Sequence, residues 1–130
     1  MDGGETPPLG GSDDVAEIAA AARATGRLGI DTEFMSEGRY RALLCLVQVA
    51  VDDRTGGEPQ IVLIDTLKDV DVTPLAELLA DPAIEIVLHA GRQDVAILRR
   101  TWQTEIHNLF DTQIAAGFVG ASAQAGYSNL

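Results

Sequence analysis

The sequence predicts a single α/β domain: a mixed sheet of three antiparallel strands extended by parallel ones, flanked by helices. Three observations lead there. Apolar, β-branched runs at residues 27–34, 42–51 and 60–65 follow one another without a helical stretch between them, and such short links favour antiparallel neighbours. Beyond Asp65 the pattern switches to helix, strand, helix, strand, which joins parallel strands by crossovers. Finally, 130 residues with 46% apolar content suit one unit with one core.

Each element has a local reason. Residues 1–11, with Gly3, Gly4, Pro7, Pro8, Gly10 and Gly11, read as a flexible leader. Ser12 is the expected N-cap of a helix over 13–24. Asp13, Asp14 and Glu17 lie in its early turns, where the helix dipole favours negative charge, and Gly26 stops it. The first strand is 27–34, the second 42–51 and the third 60–65, with Thr55-Gly56-Gly57 as a hairpin-like turn between the last two. Pro74 suits the first position of a helix capped near Thr73 and covering 75–80. Residues 84–88 form strand four, 92–102 a helix, 106–111 strand five and 112–119 a further helix. The Gly/Ala/Ser-rich stretch 117–126 reads as a loop, and there is no internal repeat.

Composition excludes some classes. A membrane helix needs a run of about 18 apolar residues, and the chain has none; its first residues also lack the basic and apolar segments of a secretory signal. The single cysteine, Cys45, cannot form an internal disulfide, so a reducing cytoplasm is the expected location. Cys45 sits among Leu43, Leu44, Leu46 and Val47 and reads as a small core residue. A net charge of −11 counts against nucleic acid as a partner, because phosphate binding rests on Lys and Arg. Of nine basic residues, however, Arg39, Arg41, Arg92, Arg99 and Arg100 flank the acidic motifs, which softens that objection.

Those motifs centre on Asp31 and Glu33. One residue apart on a strand, both point to the same face, about 7 Å apart, within reach of shared metal ions. Two nearby like charges are relieved by a bound cation or a shared proton; the alternative is two solvated acids at a sheet edge or pairing with arginine. Asp94 falls in the first turn of the helix after strand four, at the carboxyl end of the sheet, where sites in α/β folds gather. Taken without its surrounding motif, it reads as an acid favoured by the helix dipole. Asp65 and Asp111 each precede a threonine and read as turn or helix caps. His89 reads as a partly buried hydrogen-bonding residue and His107 as a surface one.

Four segments together resemble a known family. Ile30-Asp31-Thr32-Glu33-Phe34, the tract from Arg39 to Ala50, Val87-Leu88-His89-Ala90-Gly91-Arg92-Gln93-Asp94, and Leu109-Phe110-Asp111-Thr112 stand in the order found in the ribonuclease D exonuclease domain, of the DEDD superfamily. The resemblance runs from about Leu28 to Leu130 and implies a ribonuclease H-like fold. It implies hydrolysis of phosphodiester bonds at a 3′ end by two divalent ions, Mg2+ or Mn2+, held by Asp31, Glu33 and Asp94. RNA is the implied substrate, structured or precursor RNA such as tRNA precursors. Phe34, Tyr40, Arg41 and Arg92 are candidate substrate contacts, the aromatics by stacking on a terminal base; core packing is the alternative for Phe34. The family's fourth acid comes from a Tyr-x-x-x-Asp motif on a later helix, and no such motif follows Tyr127 before Leu130. The expectation is therefore a partial domain over 12–130, lacking its C-terminal helices and weakly active or inactive alone. Two other readings stay open: a nucleic-acid-binding module of the same fold without catalysis, and an unrelated doubly wound α/β domain with a single acidic site.

Overall fold

The computed structural model describes residues 9–35, 43–53, 57–89 and 92–112, the side chain of Arg92 excepted. Element order is α1 (Ser12–Thr25), β1 (Arg27–Met35), β2 (Leu43–Val51), β3 (Gln60–Asp65), α2 (Thr73–Leu79), β4 (Glu85–Leu88), α3 (Arg92–Trp102) and β5 (Leu109–Asp111). The five strands form one sheet in the order β3-β2-β1-β4-β5. β1 and β3 each pair antiparallel with β2, whereas β4 pairs parallel with both β1 and β5. This is the mixed sheet that the sequence predicts.

Strand alternation sorts the side chains into two unlike faces. Leu28 and Ile30 on β1, Val47 and Val49 on β2, Ile64 on β3 and Ile86 and Leu88 on β4 are buried. Register places them on one face, where Ile30 opposes Val49, Val47 opposes Ile64 and Leu28 opposes Ile86. Val15, Ile18 and Ala22 of α1, Leu75, Leu78 and Leu79 of α2, and Ile97 and Leu98 of α3 join the same core. Each fully buried aliphatic side chain contributes about 1.5–3 kcal/mol relative to exposure. The other face carries Gly29, Asp31 and Glu33 with Leu46, Gln48 and Ala50 opposite, all half-buried or exposed.

Several local expectations need correction. Gly11, not Ser12, is the N-cap of α1; the Asp14 carboxylate reaches back to accept the Gly11 N–H at 2.8 Å. The Ser12 hydroxyl instead accepts the Asp71 N–H at 2.8 Å, tying the start of α1 to the approach to α2. Gly26 does end α1, in a left-handed conformation with φ 82°. α2 starts earlier than expected, at Thr73, with Val72 as its N-cap and Pro74 in its first turn; Asp71, ahead of the cap, accepts the Thr73 N–H at 3.0 Å. Within the expected leader, Leu9 bridges Leu63 of β3 and Gly10 donates to the Leu63 carbonyl at 2.8 Å. A Cβ on Gly10 would stand 2.6 Å from Val62 Cγ1, so only glycine fits that approach.

Strand five is shorter than expected, three residues instead of six. Asn108 still accepts the Ile86 N–H of β4 on its carbonyl at 2.8 Å, but its side chain donates to the Pro82 carbonyl at 3.1 Å and the His107 N–H reaches the Leu79 carbonyl at 3.4 Å, so the chain before Leu109 turns away from the ladder. Cys45 is half-buried rather than a core residue. Residues 54–56, including most of the expected turn, residues 113–119 of the expected last helix and the loop at 117–126 lie outside the described residues.

Candidate active site

The strand period delivers Asp31 and Glu33 to one face, both exposed. They border a small hollow with Leu46, Gln48 and Leu63. Beside it a cavity of about 140 Å³ runs along β1 and is lined by Gly29, Asp31, Gln48, Ala50, Val87, His89 and Thr112. The His89 ring and the Thr112 hydroxyl share a 2.8 Å hydrogen bond at its rim. A much larger groove, about 960 Å³, lies between α2 and α3 around Ala76, Trp102 and Thr104, away from the acid pair. Its Arg99 guanidinium is engaged by Glu105 at 2.8 Å, so size and acid chemistry do not coincide on this surface.

The register along β1 breaks at the acid pair. Glu33 opposes Leu46 while Phe34 opposes Leu44, so Cys45 has no partner across the ladder and β2 carries a bulge there. Bulges bend the strand and re-aim neighbouring side chains, and this one abuts Glu33. Nothing in the unbroken apolar run of β2 announces it.

Asp94 sits in the first turn of α3 and is only 9% exposed. Burial drives its carboxyl above the ordinary value of 3.8; the nearby Thr32 hydroxyl opposes the rise, and the charges of Asp31 and Asp111 add to it. Thr32 lies between Asp31 and Glu33 and points to the helix-covered face. Its Oγ1 is buried and completes no hydrogen bond among the described residues, so its influence on Asp94 is a proximity effect rather than a formed bond. Asp94 is thus near Thr32 on the buried side of β1 and still within reach of the charges of Asp31 and Asp111. Among the described residues no three His, Cys, Asp or Glu side chains converge as a group that could hold a metal ion. The donors are nonetheless of the right kind: hard carboxylate oxygens, one with its negative form disfavoured, beside an orphaned buried hydroxyl.

Asp94 has a pH signature. A carboxyl whose folded pKa is raised contributes stability below the unfolded value of 3.8, and that contribution is lost as pH rises through the folded pKa. Asp94→Asn should therefore gain in stability relative to wild type between about pH 4 and pH 7, because only the wild type must ionise a buried group. Urea unfolding at the two pH values checks this; equal differences at both would remove the electrostatic account.

The other anticipated residues divide. Phe34 is partly buried and packs against the core. Tyr40 and Arg41 and the Arg92 side chain lie outside the described residues. Asp65 behaves as a turn residue, its Oδ1 accepting the Leu67 N–H at 3.0 Å. Asp111, read as a cap, proves close enough to act on Asp94, a proximity created by the parallel pairing of β4 with β5.

Comparison with known proteins follows the same lines. A family described as 3′-5′ exonuclease matches residues 9–130. The chain is 41% identical over 120 residues to the ribonuclease D of Granulibacter bethesdensis, covering 92% of this chain and 29% of that protein. Among solved structures, Escherichia coli RNase D, described as an exoribonuclease involved in structured RNA processing, aligns with a TM-score of 0.78 at 31% identity, over 95% of this chain and 32% of that one. Brucella melitensis NrnC, solved with bound Mg2+, aligns with a TM-score of 0.54 at 30% identity, over 72% of this chain and 44% of that one. The chain spans about a third of the length of the ribonuclease D relatives it matches.

Proposed function

This chain belongs to the ribonuclease D-like family of 3′-5′ exonucleases, and from that membership we propose that it carries most of the acidic centre of a two-metal nuclease removing nucleotides from the 3′ end of RNA. The observation that carries the reading is the pair Asp31 and Glu33 on one exposed face, with Asp94 close enough for the charge of Asp31 to raise its carboxyl. Asp31, Glu33 and Asp94 would hold Mg2+ or Mn2+, the former found on the Brucella relative. When bound, such ions lower the pKa of a water and offset charge on the departing 3′ oxygen. The protein's own part is to present hard oxygens at the end of a rigid sheet and to keep Asp94 dry, so that it favours a cation over bare ionisation.

Phe34 and Tyr40 would flank the terminal base, and Arg41 and Arg92 would meet backbone phosphates. Among the described residues, three arginines are already engaged by carboxylates. Arg23 pairs with Asp81, Arg27 with Glu85 and Arg99 with Glu105. Substrate affinity would then be modest and strongly metal-dependent. RNA rather than DNA, with tRNA precursors among the candidates, is proposed from the ribonuclease D relatives, and a cytoplasmic location from the single cysteine. By itself the 130-residue chain is proposed to be weakly active or inactive, with full hydrolysis requiring the Tyr-x-x-x-Asp helix of the family. One observation favours a second reading, a binding module without catalysis: the three acids do not converge among the described residues.

The test is Mn2+ titration of the chain by calorimetry, beside Asp31→Ala, with 3′-labelled single-stranded RNA and DNA of one sequence in the same buffers. Mn2+ binding that Asp31→Ala abolishes is the expected result. RNA binding without any Mn2+ binding would instead support the module; neither kind of binding would remove the assignment of the acids.

A further inference from the structure

Thr66, the residue just beyond β3, makes two hydrogen bonds to the bulged stretch of β2. Its hydroxyl donates to the Leu44 carbonyl at 2.7 Å and its backbone N–H donates to the Cys45 carbonyl at 3.1 Å. Those carbonyls belong to the extra residue of the bulge and the residue before it, and the bulge lies opposite the step from Glu33 to Phe34. Thr66 is itself held in place: Asp65 accepts the Leu67 N–H on its carboxylate at 3.0 Å and the Lys68 N–H on its carbonyl at 3.2 Å, closing a turn around Thr66. A β-bulge left to itself is a weak point of the ladder, because the extra residue is unpaired on one side. Here the pairing missing toward β1 is answered from the β3 side.

We propose that Thr66 is a positioning residue for Glu33: it clamps the bulge at Cys45 and so sets where the Glu33 carboxylate projects beside Asp31. The inference rests on the reading of Asp31 and Glu33 as cation ligands. Thr66 touches neither the acids nor any substrate atom; it acts through the backbone of β2. The hydroxyl is the part that matters, since the N–H survives any substitution except proline. Thr66→Val keeps the shape and the β-branch but loses the donor, whereas Thr66→Ser keeps the donor.

Cys45 provides an independent reporter of the bulge, being the one cysteine of the sequence. Three chains, wild type, Thr66→Val and Thr66→Ser, would be compared at a temperature where circular dichroism shows each fully folded. Iodoacetamide alkylation of Cys45 reads the bulge, and calorimetric titration with Mn2+ reads the acid pair; Glu33→Gln serves as control. The expected result is faster alkylation of Thr66→Val, Mn2+ affinity lowered about tenfold, as is usual for a residue supporting a ligand from behind, and wild-type behaviour of Thr66→Ser on both readouts. Faster alkylation with unchanged Mn2+ affinity would overturn the proposal, since the bulge would then move without moving Glu33. Unchanged alkylation would overturn it as well, because the hydroxyl would not be the clamp. If Glu33→Gln leaves Mn2+ binding intact, the ligand reading itself falls and takes the proposal with it, an outcome the control separates from the other two.

Discussion

Asp31→Asn should lower the rate of 3′-nucleotide release roughly 10³-fold when the chain is joined to the C-terminal region of a ribonuclease D relative. Charge stabilisation through a bound cation is worth several kcal/mol in the transition state. About 4 kcal/mol of loss corresponds to roughly three powers of ten in rate. Asparagine is isosteric with aspartate, and the backbone of Asp31 stays paired with Gln48 in the β1-β2 ladder. The side chain is exposed, so its loss opens no cavity in the core. Stability should therefore change little while catalysis collapses, and that contrast separates a chemical role from a structural one. Single-turnover release of a 3′ label at saturating RNA measures it. Because the ion that Asp31 would hold also supports substrate affinity, kcat should fall and KM should rise with it. A variant within threefold of wild type would remove Asp31 from the reaction.

The same strand shows what was legible in the sequence and what was not. The alternation Leu28, Ile30, Thr32 against Gly29, Asp31, Glu33 is written in the residues, and it correctly separates a core face from an acidic one. The mixture of antiparallel and parallel strands follows from what links them, no helix between β1, β2 and β3 and helices thereafter, whereas the placing of β4 beside β1 rather than β3 is not written in those links. The depth at which α3 would bury Asp94 was not legible, because a crossover helix is placed by its neighbours only once the core is assembled. Sequence spacing brings the three acids to one end of the sheet; the fold adds that Asp94 is buried and near enough to Asp31 and Asp111 to feel their charges. The bulge at Cys45 was hidden for another reason: no glycine or proline marks it, and the hydrogen bonds that meet its carbonyls come from Thr66, twenty-one residues further along the chain. Ser12 shows the opposite error. A good capping residue was present, yet Gly11 took the cap because Asp14 could reach its N–H and Ser12 had the Asp71 N–H to satisfy.

The other large effect concerns the helix that carries Asp94. Leu98 lies one helical turn after Asp94, so the two share a face of α3. Leu98 is fully buried, and Ile97 and Trp102 beside it are nearly so. Leu98→Ala removes the anchor directly beneath the acid. The expected cost is about 2–5 kcal/mol, a large part of the roughly 5–15 kcal/mol typical of a domain. The melting temperature should drop by roughly 10 °C. Leu78→Ala on α2 opens a comparable hole at another fully buried leucine and should cost about as much. The two should part company when Mn2+ is added. A cation that binds only the folded chain stabilises it by RT ln(1 + c/Kd), where c is the free ion concentration. Leu78→Ala, which leaves α3 seated, should keep the wild-type increment in unfolding free energy. Leu98→Ala should lose much of it, because Asp94 is no longer held beside β1. Urea unfolding of both variants with and without Mn2+ makes the comparison. Equal increments would mean that Asp94 takes no part in holding the ion, and that α3 contributes to this site only through the core.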